Sequence, residues 1–175
     1  MLRITAYVGE AHMSTFELAQ LNLAAMRAPL GSPLLADFVA NLDRINALAD
    51  AAPGFVWRLQ GDGGDATALR PFGDNILVNM SVWKDAASLN DYVYKSEHVA
   101  IMRRRKEWFE RMTEAYMVLW WVPAGHRPSL AEASARLTQL RTQGPSTEAF
   151  TFRQLFPAPD ALGADIESGD ECRAL

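Results

Sequence analysis

Four apolar runs along the chain share one pattern, in which polar or aromatic side chains fall on alternating positions. In residues 16–26, Gln20 and Asn22 oppose Leu21 and Leu23. In residues 54–60, Arg58 and Gln60 oppose Phe55, Trp57 and Leu59. Residues 76–83 set Asn79, Ser81 and Trp83 against Ile76, Val78, Met80 and Val82, and residues 116–122 carry rings on both parities through Tyr116, Trp120 and Trp121. Side chains alternate across a strand, so each run predicts a β-strand with two chemically different faces. One face is expected to lie under helices. The other is expected to carry its amide, guanidinium and indole groups away from them and to line a small-molecule cavity.

The stretches between the runs predict helices. Leu34, Phe38, Leu42, Ile45 and Leu48 recur at spacings of 3 and 4, with Ser32 as cap and Pro33 at the first position. Asp85 opens a helix to about residue 94, Ser96 caps a second to about 112, and Ser129 with Glu132 forms a capping box for a third to about 143. The Gly-rich segment 61–65 is a turn within a long hairpin, and 149–153 is read as a short fifth strand. Residues 1–14 are expected to be a flexible leader, 15–156 a single domain with a C-terminal helical extension, and 157–175 a disordered acidic tail.

The resulting β-α-β-β-α-β order is the ferredoxin-like, α+β arrangement, an antiparallel sheet with helices on one face and an extra C-terminal helix. An uncovered face bearing Asn22, Arg58, Asn79, Trp83 and Trp120 calls for a second copy, so a homodimeric α/β-barrel is expected.

Composition narrows the function classes. The 175 residues carry a formal charge of -4, which speaks against general affinity for nucleic acid or anionic membrane. The Arg103-Arg104-Arg105-Lys106 cluster turns about 100° per residue and forms no single flat basic patch. Cys172 is the chain's one cysteine, so no intrachain disulfide or cysteine-rich metal site is expected. The histidines at 12, 98 and 126 have no metal-site spacing. No run reaches the roughly 20 apolar residues of a membrane span, and a cytoplasmic protein without a bound metal is expected.

The segments Leu18-Ala-Gln-Leu-Asn22, Pro53-Gly-Phe-Val-Trp-Arg58, Asn79-Met-Ser-Val-Trp83 and Trp120-Trp-Val-Pro-Ala-Gly-His-Arg-Pro128 resemble the family catalogued as domain of unknown function 3291 (DUF3291). The chain is also similar to the dimeric α/β-barrel superfamily, which includes the antibiotic-biosynthesis monooxygenases. That resemblance implies a pocket enzyme among cofactor-free oxygenases, haem-degrading oxygenases, peroxidases, isomerases and lactone-forming enzymes. Fold alone does not choose among these. Against the haem-degrading members, Asn22 matches the first-strand asparagine. Arg103 stands at the haem-ligand position and the tryptophan position falls near Tyr92, which departs from their pattern.

Several residues are candidates for chemistry. Arg58 is either an oxyanion-holding pocket residue or half of a structural ion pair. Tyr94, His98, Met102 and Arg105 recur at spacings of 4, 4 and 3, so His98 is a general-base candidate with Tyr94 beside it, or else this face simply packs on a neighbour. His126, before a helix N-terminus, is a substrate-rim residue or a tie between sheet and helix. The leading expectation is a cofactor-independent monooxygenase, or an isomerase or cyclase, on an aromatic or polyketide-like substrate. In it His98, Arg58 and Asn22 are catalytic, and Asn79, Trp83, Tyr94, Trp120 and His126 bind substrate. Haem binding through His98 or His126, and a non-catalytic carrier or sensor, stand as alternatives.

Overall fold

The computed structural model describes residues 14–95 and 98–161, with the side chain of His98 outside that description. The elements are β1 (Phe16–Ala25), a 3-10 turn (Pro33–Leu35), α1 (Ala36–Asp50), β2 (Phe55–Arg58), β3 (Ile76–Trp83), α2 (Ala86–Lys95), α3 (His98–Trp108), β4 (Met117–Pro123) and α4 (Leu130–Gln143). The sheet order is β2-β3-β1-β4, antiparallel throughout. The chain thus adopts the expected ferredoxin-like α+β fold with an added C-terminal helix. No described helix is long and apolar enough to cross a membrane.

Local chemistry explains most boundaries. Pro33 opens the 3-10 turn that leads into α1, although the Ser32 hydroxyl makes no capping bond and is buried without a partner. Asp85 Oδ1 accepts the Ser88 N–H at 2.7 Å, and Ser129 Oγ accepts the Glu132 N–H at 3.1 Å, the capping geometry read from the sequence. Gly54 enters β2 at φ 78°, and any Cβ there would overlap the Ser88 side chain. The expected fifth strand is reduced to a single bridge to the sheet, in which Phe150 and Leu119 exchange backbone hydrogen bonds of 2.8 and 2.9 Å.

The two faces of the sheet are the reverse of the sequence expectation. Gln20, Asn22, Ser81 and Trp83 lie on the face beneath α1, α2 and α3, together with Leu18 and Leu77. The opposite face carries Leu21, Leu23, Val78, Met80, Val82 and Trp120, and it is closed. Ala133, Leu137 and Leu140 of α4 cover it from one side, while Ala66, Leu69 and Phe72 of the β2–β3 connection pack against it as well. α4 therefore packs on the β4 side of this face. Its narrow Leu130, Ala133, Leu137, Leu140 stripe suffices because β4 and β1 present mostly aliphatic side chains to it.

This removes the surface on which the expected second copy was argued. Trp120 is on the closed face, whereas Asn22, Asn79 and Trp83 are on the helix face, so the five residues do not share one exposed patch. Phe55 and Trp57, expected on one parity, are separated by a bulge: Phe55 pairs with Trp83 and Trp57 with Val82. The extra residue sends Phe55 to the helix face, its ring centroid 5.3 Å from that of Trp83, and Trp57 to the other.

Residues just beyond Pro157 stay on the body. Ala158 is buried, and Asp160 accepts hydrogen bonds from Ser14 and from the backbone and hydroxyl of Thr15. The rest of the segment expected to be a tail, and the leader through residue 13, lie outside the described residues.

Because Leu137 is fully buried between α4 and the sheet, Leu137→Ala is expected to cost about 2–5 kcal/mol of stability. Equilibrium chemical denaturation measures this, and a loss near zero would mean that α4 does not close the face in solution.

Candidate functional site

A cavity of about 160 Å³ lies between the helix face of the sheet and the helices α1 and α3. Asn22, Ala24, Leu77 and Asn79 form its floor, and Phe38, Leu42 and Ile45 of α1 one wall. Ile101, Met102 and Trp108 of α3 form the facing wall. At the β2 edge the cavity is bounded by Leu59, Asp65, Ala66 and Thr67. The α1 stripe that the sequence marks as core packing is here also the lining of a ligand-sized space.

The polar residues of the helix face divide into two groups. Deep under α2, Trp83 Nε1 donates to Ser81 Oγ at 2.9 Å, and that hydroxyl donates to Gln20 Oε1 at 3.1 Å. This chain lets Gln20 and Ser81 be buried without an unmet bond. Two residues further along β1, Asn22 stands directly across from Asn79 of β3. Both line the cavity, and neither side-chain amide has a hydrogen-bond partner among the described residues. Adjacent strands are about 4.8 Å apart, so two amides, each with donor and acceptor, sit side by side on an otherwise apolar floor.

The charges around the cavity differ in how they are compensated. Arg58 is largely buried and its fork is committed: Nε and Nη2 donate to the two Asp50 carboxylate oxygens at 2.8 and 3.2 Å, and Nη1 donates to the Gly64 carbonyl at 2.8 Å. It ties the 61–67 loop to α1, so that Asp65 and Thr67 face the cavity. Asp65 Oδ1 accepts from the Thr67 N–H at 2.7 Å and from its hydroxyl at 2.6 Å. Arg105 lies with its guanidinium 4.5 Å from the Tyr116 ring centroid. Near Asp50, burial pushes the Tyr92 hydroxyl up to about 12, the Asp50 charge adding to the effect and Arg58 opposing it.

Of the residues singled out in the sequence, Asn22, Asn79 and Arg58 meet at the cavity. Trp83 shares their face but is buried beyond it, stacked on Tyr92 at 5.1 Å. Tyr94 belongs to α2, not to the helix of Met102 and Arg105; it is 59% exposed and contacts Phe152 edge-on. His98 opens α3, and its side chain lies outside the described residues.

Trp120 and His126 are on the far side of the sheet from the cavity. Trp120 Nε1 donates to Glu132 Oε1 at 2.9 Å, and His126 Nε2 lies 2.8 Å from Glu132 Oε2. Glu132, expected to complete the capping box, instead ties the sheet and the 123–129 loop to the start of α4. Burial alone raises its carboxyl, but the hydrogen bonds from His126 and Trp120 outweigh that and hold it below its ordinary value. None of the described side chains that line the cavity is a histidine. Among the described residues no group of three or more His, Cys, Asp or Glu is placed to hold a metal ion.

Asn41, Asn46, Asp65, Thr67 and Arg105 also line the cavity without having been singled out for it. The two asparagines interrupt the flank of the α1 stripe, which was a readable signal. Asp65 and Thr67 reach the site through a folded loop, which strand periodicity does not mark.

The chain belongs to the family described as Domain of unknown function (DUF3291), whose model matches residues 17–165. No curated protein matches it. Among solved structures it is similar to a protein of unknown function from Nitrosomonas europaea, at 18% identity over 66% of this chain and 97% of that one, with a TM-score of 0.42. A protein from Pseudomonas aeruginosa matches at 16% identity, 68% and 100% coverage and a TM-score of 0.44. SnoaB, a cofactor-independent oxygenase from Streptomyces nogalater, matches at 20% identity, 65% and 96% coverage and a TM-score of 0.40.

The lowered Glu132 value gives the stability a sign in acid. Its contribution is complete above the ordinary value of 4.5 and is lost as pH falls through the lowered value of the folded chain. Glu132→Gln is expected to flatten that part of the acid-unfolding curve. Glu132→Leu, which leaves the buried Trp120 N–H without an acceptor, is expected to cost about 1–3 kcal/mol. Thermal melts at pH 3 to 7 compare the three proteins.

Proposed function

We propose that this member of the DUF3291 family is an enzyme that removes a proton from a small oxygenated ring compound, without a bound cofactor. The observation that carries the reading is the Asn22–Asn79 pair, lining the cavity with no hydrogen-bond partner among the described residues. Two preorganised amide donors at the place where an oxyanion develops stabilise an enolate or phenolate.

Arg58, whose donors are committed to Asp50 and Gly64, acts here by positioning the loop that carries Asp65. The proton passes to Asp65 or to His98 at the head of α3. The resulting carbanion has two outcomes. Return of the proton to another carbon isomerises the ring compound or lets it close. Capture of dioxygen at a CH2 carbon gives C=O, with the second oxygen atom leaving as water, so the substrate itself supplies the electrons.

The cavity volume narrows the ligand. Pockets for drug-sized molecules run from about 300 Å³, whereas an apolar cavity of about 150 Å³ accommodates benzene. The roughly 160 Å³ here fits one ring, and a polycyclic phenol requires α1 and α3 to separate. All the walls come from one chain, so the site does not need a second copy. A homodimer remains a proposal on another surface, and light scattering decides it: twice 19.4 kDa supports it and the single mass ends it.

Exchange of the acidic C–H of single-ring enols and phenols in heavy water, followed by NMR, tests proton removal directly, with oxygen uptake recorded in parallel. Asn22→Ala and Asn79→Ala are each expected to slow exchange by about 10²–10³-fold, and Asp65→Asn against His98→Ala identifies the base. Ligands that bind without exchange or turnover would sink the enzyme reading and leave a carrier or sensor. A Soret shift on haem titration would move the function to the haem alternative.

A further inference from the structure

Arg105 stands apart from the other arginines of the chain. Among the described residues, every other arginine that is not exposed is tied to a carboxylate or to backbone carbonyls. Arg58 is held by Asp50, Arg104 by Asp37 and Glu107, and Arg136 by Glu148, while Arg70 donates to the Thr67, Leu69 and Asp74 carbonyls. Arg105 is half-buried and lines the cavity, and among the described residues its guanidinium has the Tyr116 ring against it and no carboxylate or carbonyl partner. A ring face engages the flat side of the guanidinium and leaves its in-plane N–H fork unused. A half-buried cation without a counter-charge is costly, and a fork of this kind matches a carboxylate in bidentate geometry.

The position of Arg105 relative to the other polar groups is set by the sheet. In the order β2-β3-β1-β4, Asp65 borders the cavity beyond β2, Asn79 is on β3, Asn22 is on β1, and Arg105 sits over Tyr116 just before β4. The cavity therefore has a carboxylate at one side, two neutral amides in the middle and an uncompensated cation at the other. An anionic ligand is repelled at the Asp65 side and drawn to the α3 side.

We infer that the cavity takes a single-ring carboxylate, with the carboxylate on the Arg105 fork at the mouth and a ring oxygen on the Asn22–Asn79 pair. This rests on the reading of the cavity as a ring-binding site and specifies its substrate class. The Arg105 contact is the same before and after proton removal, so it serves binding and orientation, whereas the asparagines serve the reacting oxygen.

4-Hydroxybenzoate and its neutral counterpart 4-hydroxybenzamide, called benzoate and benzamide below, carry the ring oxygen and are the probes, titrated calorimetrically into the full-length protein. Wild type is expected to bind benzoate at least tenfold more tightly than benzamide, the scale of a charge-assisted bidentate contact. Arg105→Met, which keeps an apolar stem over Tyr116, is expected to abolish that preference. Arg105→Lys, which keeps the charge but not the fork, is expected to lie between the two and serves as the decisive variant if Arg105→Met fails to fold. Asp65→Asn is expected to tighten benzoate alone.

Equal binding of the two probes to wild type, both weakened by Asn22→Ala, leaves the ring site standing and overturns the role of Arg105. A preference that persists in Arg105→Met overturns it too. Failure of both probes to bind wild type at millimolar concentration overturns the ring site and the inference together.

Discussion

The placement of polar side chains on the covered face of the sheet is the constraint from which the rest of the structure follows. A buried amide or hydroxyl is costly unless it is hydrogen-bonded. Along β1 and β3 this is met in one place and left open in the next. Gln20, Ser81 and Trp83 satisfy one another beneath α2, and the core closes over them. Asn22 and Asn79, one strand step away, have no such partner among the described residues and are not sealed from solvent, and above them α1 and α3 leave the cavity. The same strands thus build a sealed core and a site, according to whether their polar groups complete one another.

The opposite face is governed by a second polar arrangement at its margin. Leu137 and Ala133 supply the apolar contact between α4 and the sheet, while Glu132 receives Trp120 from the sheet and His126 from the connecting loop. One carboxylate therefore fixes where α4 starts relative to β4. The face opposite the cavity is thereby closed within one chain. The Arg58–Asp50 pair has a comparable part on the other side, since it anchors the glycine-rich loop that forms the β2-side wall.

Much of this was legible in the chain. Period-2 alternation located β1, β3 and β4, the 3-and-4 spacing of Phe38, Leu42 and Ile45 located α1, and Ser129 with Glu132 located the start of α4. Asn22 and Asn79 were readable as pocket residues because amides amid aliphatic strands demand a partner or a solvent-filled space. Arg105 was noted as one member of a helical face but not as a cavity cation. Its significance depends on which of its neighbours are carboxylates, and those neighbours come from other elements.

Alternation by itself determined that the two faces of the sheet differ and that Gln20, Asn22, Asn79 and Ser81 are polar positions of β1 and β3. It did not determine which face the helices cover. That depends on the hand and path of the connections, which place α1, α2 and α3 over Asn22 and Trp83 and α4 over Trp120. The bulge between Phe55 and Trp57 was likewise beyond any period count, because one inserted residue reverses every later side chain on the strand. Whether Arg58, Trp120 and His126 act on a ligand or hold the fold was decided only in three dimensions, where Asp50, Gly64 and Glu132 arrive from elsewhere in the chain and occupy their hydrogen-bonding groups.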